Sequence, residues 1–129
     1  MTRRPRPTDG ELEILGVLWS AGPATVREIH ERLCATKPST GYTTVLKLLQ
    51  IMAEKGLVAR DEKNRAHVYR ARIPQEQTQR QLVGDLLDRV FGGSASRLVM
   101  QALSTRKASP QEIAEIRRML DDYSAAGER

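Results

Sequence analysis

The chain has 129 residues, 40% of them apolar and 29% charged, proportions that suit a folded protein of one domain or two small ones rather than a disordered chain. No apolar run approaches the roughly 20 residues of a membrane span, and the start lacks the apolar core of a signal peptide, so no membrane insertion and a cytoplasmic location are expected. The net charge of +5 lies entirely in residues 1–72, with 13 Lys or Arg against 8 Asp or Glu, while residues 73–129 are balanced; a basic half joined to a neutral one points to a polyanion-binding module attached to something with another task.

Met1 to Pro7 is a tail of Pro and Arg, with Arg3, Arg4 and Arg6. It serves either as a solubilising end or as an arm along a nucleic-acid backbone or minor groove, and its composition leaves both open. Thr8-Asp9-Gly10-Glu11 then fits a capping box, in which hydroxyl and carboxylate satisfy each other's backbone amides. It opens a helix bearing Leu12, Leu15, Leu18 and Trp19, the tryptophan being better suited to a core anchor than to a binding platform. Ala21-Gly22-Pro23 ends that helix. Thr25 to Glu28 is a second box, opening a helix with Val26, Ile29 and Leu33 on one face, and Lys37-Pro38-Ser39 breaks it.

Ser39 to Lys55 is expected to form the third helix. Val45, Leu48, Leu49 and Met52 recur at helical spacing, as a buried face requires. Thr43, Lys47 and Gln50 fall opposite, with side chains able to hydrogen-bond phosphates or base edges in a major groove about 12 Å wide. Ser39 and Thr40 stand at the expected helix start, where unpaired amides and the helix dipole favour a phosphate. Gly56 stops the helix, Leu57 and Val58 begin a strand, Asp61 to Asn64 make a polar turn, and Arg65 to Arg72 alternate in a second strand. Arg60, Lys63, Arg65 and Arg70 would ring this hairpin. The order of elements describes a winged helix-turn-helix, with a surface helix beside an ordinary solvated hairpin as the bland alternative.

Pro74 marks the next boundary, giving an expected DNA-binding domain over residues 1–74 and a helical domain over residues 75–129. A helix from Gln75 to Phe91 carries Leu82, Val83, Leu86, Leu87, Val90 and Phe91 in a wide apolar stripe, and Gly92-Gly93 stops it. A short helix follows through Leu98, Val99, Ala102 and Leu103. Ser109-Pro110-Gln111-Glu112 reads as a capping box with proline at the first helical position, ahead of Ile113, Ile116, Leu120 and Tyr123. Three helices of this size rarely bury their stripes alone. Pairing with a second copy would cover them and place two recognition helices on half-sites roughly 34 to 36 Å apart; folding back on the first domain is the alternative.

Other chemistry finds little support. His30 and Cys34 are four apart and would share a helix face, but two ligands do not make a metal site. Cys34, the lone cysteine, excludes an intrachain disulfide framework and suits a reducing compartment. His67 alternates with Ala66 and Val68 and suits a wing position near phosphate. There is no Gly-rich phosphate loop and no nucleophile motif, so neither an enzyme nor a cofactor is expected. No basic amphipathic helix with an aromatic apolar face is present, which disfavours a membrane as the polyanion.

Gly41-Tyr42-Thr43-Thr44-Val45, Glu54-Lys55-Gly56-Leu57-Val58 and Arg65-Ala66-His67-Val68-Tyr69, in register with Leu18-Trp19 and with Phe91-Gly92-Gly93-Ser94 before Leu98-Val99, make a pattern that resembles the BlaI/MecI family of bacterial penicillinase repressors over nearly the whole chain. The resemblance implies a dimeric winged-helix repressor of palindromic operators, often with TACA and TGTA half-sites, and an upstream sensor or regulatory protease as a partner. By position it implies Tyr42, Thr43, Thr44 and Lys47 as recognition-helix contacts and Arg65 as the wing contact. Three departures stand out. Ile51 occupies a place where the family commonly has a basic residue. Gln101-Ala102 replaces the Asn-Phe bond cleaved in staphylococcal members, which argues against cleavage there. No cysteine follows Cys34, unlike the cysteine-rich ends of copper-responsive relatives.

The resulting expectation is a mainly α protein with a small β-hairpin wing, in which a winged helix-turn-helix domain is joined to a C-terminal helical dimerisation domain. Its expected function is sequence-specific repression by a homodimer on double-stranded DNA. A winged-helix module that mediates protein contacts in a larger assembly is the runner-up.

Overall fold

The capping boxes expected at Thr8 and Thr25 form and set the first two helices. In the computed structural model, which describes residues 6–63 and 65–127, α1 spans Asp9–Ala21 and α2 spans Val26–Thr36. The hydroxyl of Thr8 accepts from the Glu11 amide at 3.3 Å while the Glu11 carboxylate accepts from the Thr8 amide at 2.9 Å. Thr25 and Glu28 repeat the exchange at 3.2 and 3.0 Å. The basic tail around Arg3 and Arg4, and Asn64 at the hairpin turn, lie outside the described residues.

The third helix, α3, spans Tyr42–Lys55 and so begins three residues later than its expected start at Ser39. The chain first turns, the Thr40 amide donating to the Lys37 carbonyl at 3.0 Å, and Gly41 is extended at φ −84° and ψ 143°. Ser39 and Thr40 therefore precede the helix instead of forming its first turn. Gly56 closes it at φ 81°, a left-handed conformation that costs other residues roughly 1–2 kcal/mol.

Two strands follow, β2 over Val58–Asp61 and β3 over Val68–Ala71, antiparallel with Val58 opposite Ala71 and Asp61 opposite Val68. The second strand was expected from Arg65, but the ladder ends at the Asp61–Val68 pair, which leaves Arg65, Ala66 and His67 in the connecting loop. A further strand, unforeseen in the sequence, is the two-residue β1, Ala24–Thr25, which pairs with the free side of β3 and makes the sheet order β1-β3-β2.

The core joins these elements. Ile14, Leu15 and Leu18 of α1, Ile29 and Leu33 of α2, and Val45, Leu49 and Met52 of α3 are buried together with Leu57, Val58, Tyr69 and Ile73. Leu48, at the border of the expected α3 stripe, is half-buried against them. Trp19 is also half-buried and donates its Nε1 proton to the Ile73 carbonyl at 3.0 Å, anchoring α1 to the chain after β3. Glu11 is buried as well, and Lys55, at the far end of α3, reaches it at 2.9 and 3.1 Å. Burial opposes ionisation of Glu11, but the Thr8 amide and the Lys55 ammonium outweigh it and hold the carboxyl below the ordinary glutamate value.

Three helices complete the chain: α4 over Gln75–Arg89, α5 over Ala95–Thr105 and α6 over Pro110–Gly127. α4 was expected to reach Phe91. It stops at Arg89, because Phe91 closes onto Leu86, Gly93 donates to the Leu87 carbonyl at 2.8 Å, and Gly92 and Gly93 reverse the chain at φ 57° and 82°. Ser94 caps α5 by accepting from the Arg97 amide at 3.2 Å, and Ser109 caps α6 by accepting from the Glu112 amide at 3.1 Å, with Pro110 as first helical residue.

The chain divides into two compact units, one up to Val83 and one from Gly84. The division between these units falls within α4, and buried Thr78, whose hydroxyl donates to the Pro74 carbonyl at 3.2 Å, lies in the first. In the second unit no described residue from Gly84 to Gly127 is buried.

Candidate nucleic-acid interface

The face of α3 opposite its core stripe is open. Tyr42, Thr43, Thr44, Lys47 and Gln50 are all exposed, whereas Val45, Leu49 and Met52 are sealed inside. This division follows from helical periodicity, and it leaves hydroxyls, an amide and an ammonium on one surface. Lys47 has no ion-pair partner among the described residues. Gly41 supplies no side chain to cap α3, so the first-turn amides have no side-chain acceptor of the kind that Thr8 and Thr25 provide for α1 and α2.

Ser39 and Thr40 occupy the turn before this face. Ser39 is exposed. Thr40 is half-buried, and its carbonyl lies 2.8 Å from Nε2 of His30. The histidine and Cys34 do share a face of α2, as their spacing requires, with sulfur and Nε2 3.3 Å apart. Both point at the Thr40 carbonyl, and no third potential metal ligand joins them among the described residues.

The wing supplies the second part of the surface. Asp61 shapes its tip by accepting from the Lys63 amide at 3.0 Å, which leaves the Lys63 and Arg65 side chains exposed. Arg60, expected to share in the basic ring, is instead engaged within the hairpin by the Tyr69 hydroxyl and Glu62, both of which raise its pKa. Tyr42 and Arg65, the two expected contacts from different elements, meet across a cleft of about 300 Å³. Thr25, Val26 and Arg27 from the start of α2, together with Leu46, Ala66, His67 and Tyr69, complete its walls. Arg27 was not singled out in the sequence, although the capping box at Thr25 already places it in the first turn of α2, the helix that precedes α3.

The expected dimerisation residues lie along the last three helices. Leu82, Leu87, Phe91, Leu98, Ile113 and Ile116 are half-buried, while Leu86, Val90, Val99 and Leu120 are exposed. Met100, Leu103, Met119 and Tyr123 add to the exposed apolar residues of the second unit. No helix among the described residues is long and apolar enough to cross a membrane.

Three helices, a three-stranded antiparallel sheet and a polar third-helix face beside a basic hairpin define a winged helix-turn-helix protein. The chain belongs to the penicillinase repressor family, which it matches over residues 7–122. It is 25% identical over 126 residues to the penicillinase repressor of Bacillus licheniformis, covering 95% of each chain. It is 41% identical over 70 residues to the transcriptional regulator BlaI of Mycobacterium tuberculosis, covering 54% of this chain and 50% of the regulator. The solution structure of the DNA-binding domain of the repressor BlaI superposes with a TM-score of 0.51 at 25% identity, covering 58% of this chain and 90% of that one. The family is one of repressors and not of enzymes.

Proposed function

We propose that this protein is a homodimeric transcriptional repressor that reads a palindromic operator in double-stranded DNA, with α3 in the major groove and the wing on the backbone. The observation that carries this reading is the open polar face of α3 beside the exposed Lys63 and Arg65, in a chain of the penicillinase repressor family. Thr43, Thr44, Lys47 and Gln50 face the bases and adjacent phosphates, Tyr42 and Arg65 flank the backbone across their cleft, and Ser39 and Thr40 lead the chain past a phosphate near the uncapped start of α3. Residues 1–74 do the reading and residues 75–129 the pairing.

Dimerisation is supported by the lack of any buried side chain among the described residues from Gly84 onward. Leu86, Val90, Val99 and Leu120 would each cost free energy in water, at roughly 25 cal/mol per Å² of apolar surface, and a second copy would cover them. Repression follows from occupying the promoter. The chain acts in the cytoplasm without catalysis or cofactor, and an upstream sensor or regulatory protease relieves repression.

Selecting fragments of the source genome with the purified protein tests the reading. A palindrome with steeply salt-dependent affinity is the expected result. A module that mediates protein contacts in a larger assembly would enrich no sequence, and that outcome would remove the proposal.

A further inference from the structure

The helix proposed to read the operator is fixed at its start by a residue outside it. Thr8, Thr25 and Ser94 cap α1, α2 and α5 with their own hydroxyls, but Gly41 offers α3 nothing comparable. In its place His30, on α2, reaches the residue immediately before that cap, with Nε2 at 2.8 Å from the Thr40 carbonyl. Its ring also meets the Tyr42 ring edge-on, centroids 5.7 Å apart and planes at 77°. A carbonyl only accepts, so Nε2 must carry the proton, which defines the tautomer. Cys34, one turn along α2, closes the other side of the contact at 3.3 Å from Nε2 and 3.5 Å from the same carbonyl.

We infer that His30 is a positioning residue for sequence readout. Its ring is turned to the Thr40 carbonyl and the Tyr42 ring, and it holds both residues against α2, so that α3 presents Thr43, Lys47 and Gln50 at one fixed angle. A loosely held helix still meets phosphates, because backbone attraction tolerates small rotations, whereas hydrogen bonds to base edges do not. Losing the contact should therefore reduce discrimination between sequences more than it reduces affinity for DNA in general. This inference rests on the operator-binding reading above.

The experiment compares His30→Phe, which keeps a ring beside Tyr42 but has no donor, with His30→Gln, whose side-chain amide can donate to the Thr40 carbonyl. Each is titrated with a duplex that the wild-type protein selects from a random pool and with a scrambled duplex of equal length. His30→Phe should bind the selected duplex about five-fold more weakly per recognition helix, or about 25-fold for a dimer, with a much smaller loss on the scrambled duplex. His30→Gln should recover most of that loss. A wild-type ratio in His30→Phe would overturn the inference, as would an equal loss on both duplexes, the mark of a merely structural role, or a His30→Gln protein no better than His30→Phe. Failure of the wild-type protein to select any sequence would instead overturn the operator reading itself, and this inference with it.

Discussion

Replacing Lys47 with alanine isolates one charge in the proposed interface. Lys47 is exposed on the open face of α3 and has no ion-pair partner among the described residues, so its removal frees no carboxylate inside the protein. If its ammonium neutralises one phosphate, each copy releases a condensed counterion on binding and adds about 0.9 to the salt slope of log affinity, hence about 1.8 for a dimer. Between 50 and 200 mM salt that slope is worth a factor of about 12, so the deficit of Lys47→Ala should shrink about 12-fold as salt rises over this range. Fluorescence anisotropy with a labelled selected duplex at four salt concentrations measures it. Parallel log-log lines for the two proteins would refute the phosphate contact. If they came with relaxed sequence preference they would assign Lys47 to a base edge, and unchanged affinity would remove it from the interface.

Leu86→Asp places a charge on the exposed stripe of α4, and sedimentation at micromolar concentration should find a monomer that binds the operator weakly while the first unit still melts cooperatively; a persistent dimer, or full operator affinity in a proven monomer, would contradict the pairing proposed above. Glu11→Ala removes one arm of the capping box and the buried partner of Lys55, and urea unfolding should show a loss of about 2–4 kcal/mol, whereas a loss near zero would mean that water replaces both contacts. Because the folded pKa of Glu11 is depressed, its contribution is fully present above the ordinary glutamate value and is lost as pH falls through the folded value; Glu11→Gln should flatten the stability profile in that acid range, and an unaltered profile would assign the acid sensitivity elsewhere. Gly56→Ala would bring its methyl group no closer than ordinary contact with the Arg72 guanidinium, at 3.9 Å, but must hold φ at +81°, so denaturant unfolding should show a cost of about 1–2 kcal/mol from backbone strain.

The features legible in the sequence were those whose cause is local. A capping box needs residues three apart, and both Thr8-Glu11 and Thr25-Glu28 form where the spacing placed them. The stripe of α3 needs only helical periodicity. What escaped notice depends on residues distant along the chain. β1 has two residues and no alternation of its own to detect; it exists because the far side of β3 has unpaired backbone groups. Arg65 to His67 alternate like a strand, yet alternation reports which side chains face water, and a strand also needs a partner, which ends at Asp61. Glu11 looked like an ordinary helix-start carboxylate, because nothing near it reveals that Lys55 will arrive from 44 positions away.

The same distinction governs the candidate interface. Side chains that will touch DNA are under no packing constraint in the free protein, so Thr43, Lys47 and Gln50 carry no periodic signal beyond being polar where the core face is not. Their orientation is another matter, since it is set by contacts beneath the surface. α3 starts at Tyr42 because Gly41 is extended and Thr40 is held by a side chain ten residues earlier. A reading of polar positions therefore finds the letters of such a surface but not the angle at which they are shown. That angle resides in the turn between α2 and α3, which makes a half-buried histidine as informative about recognition as any residue on the exposed face.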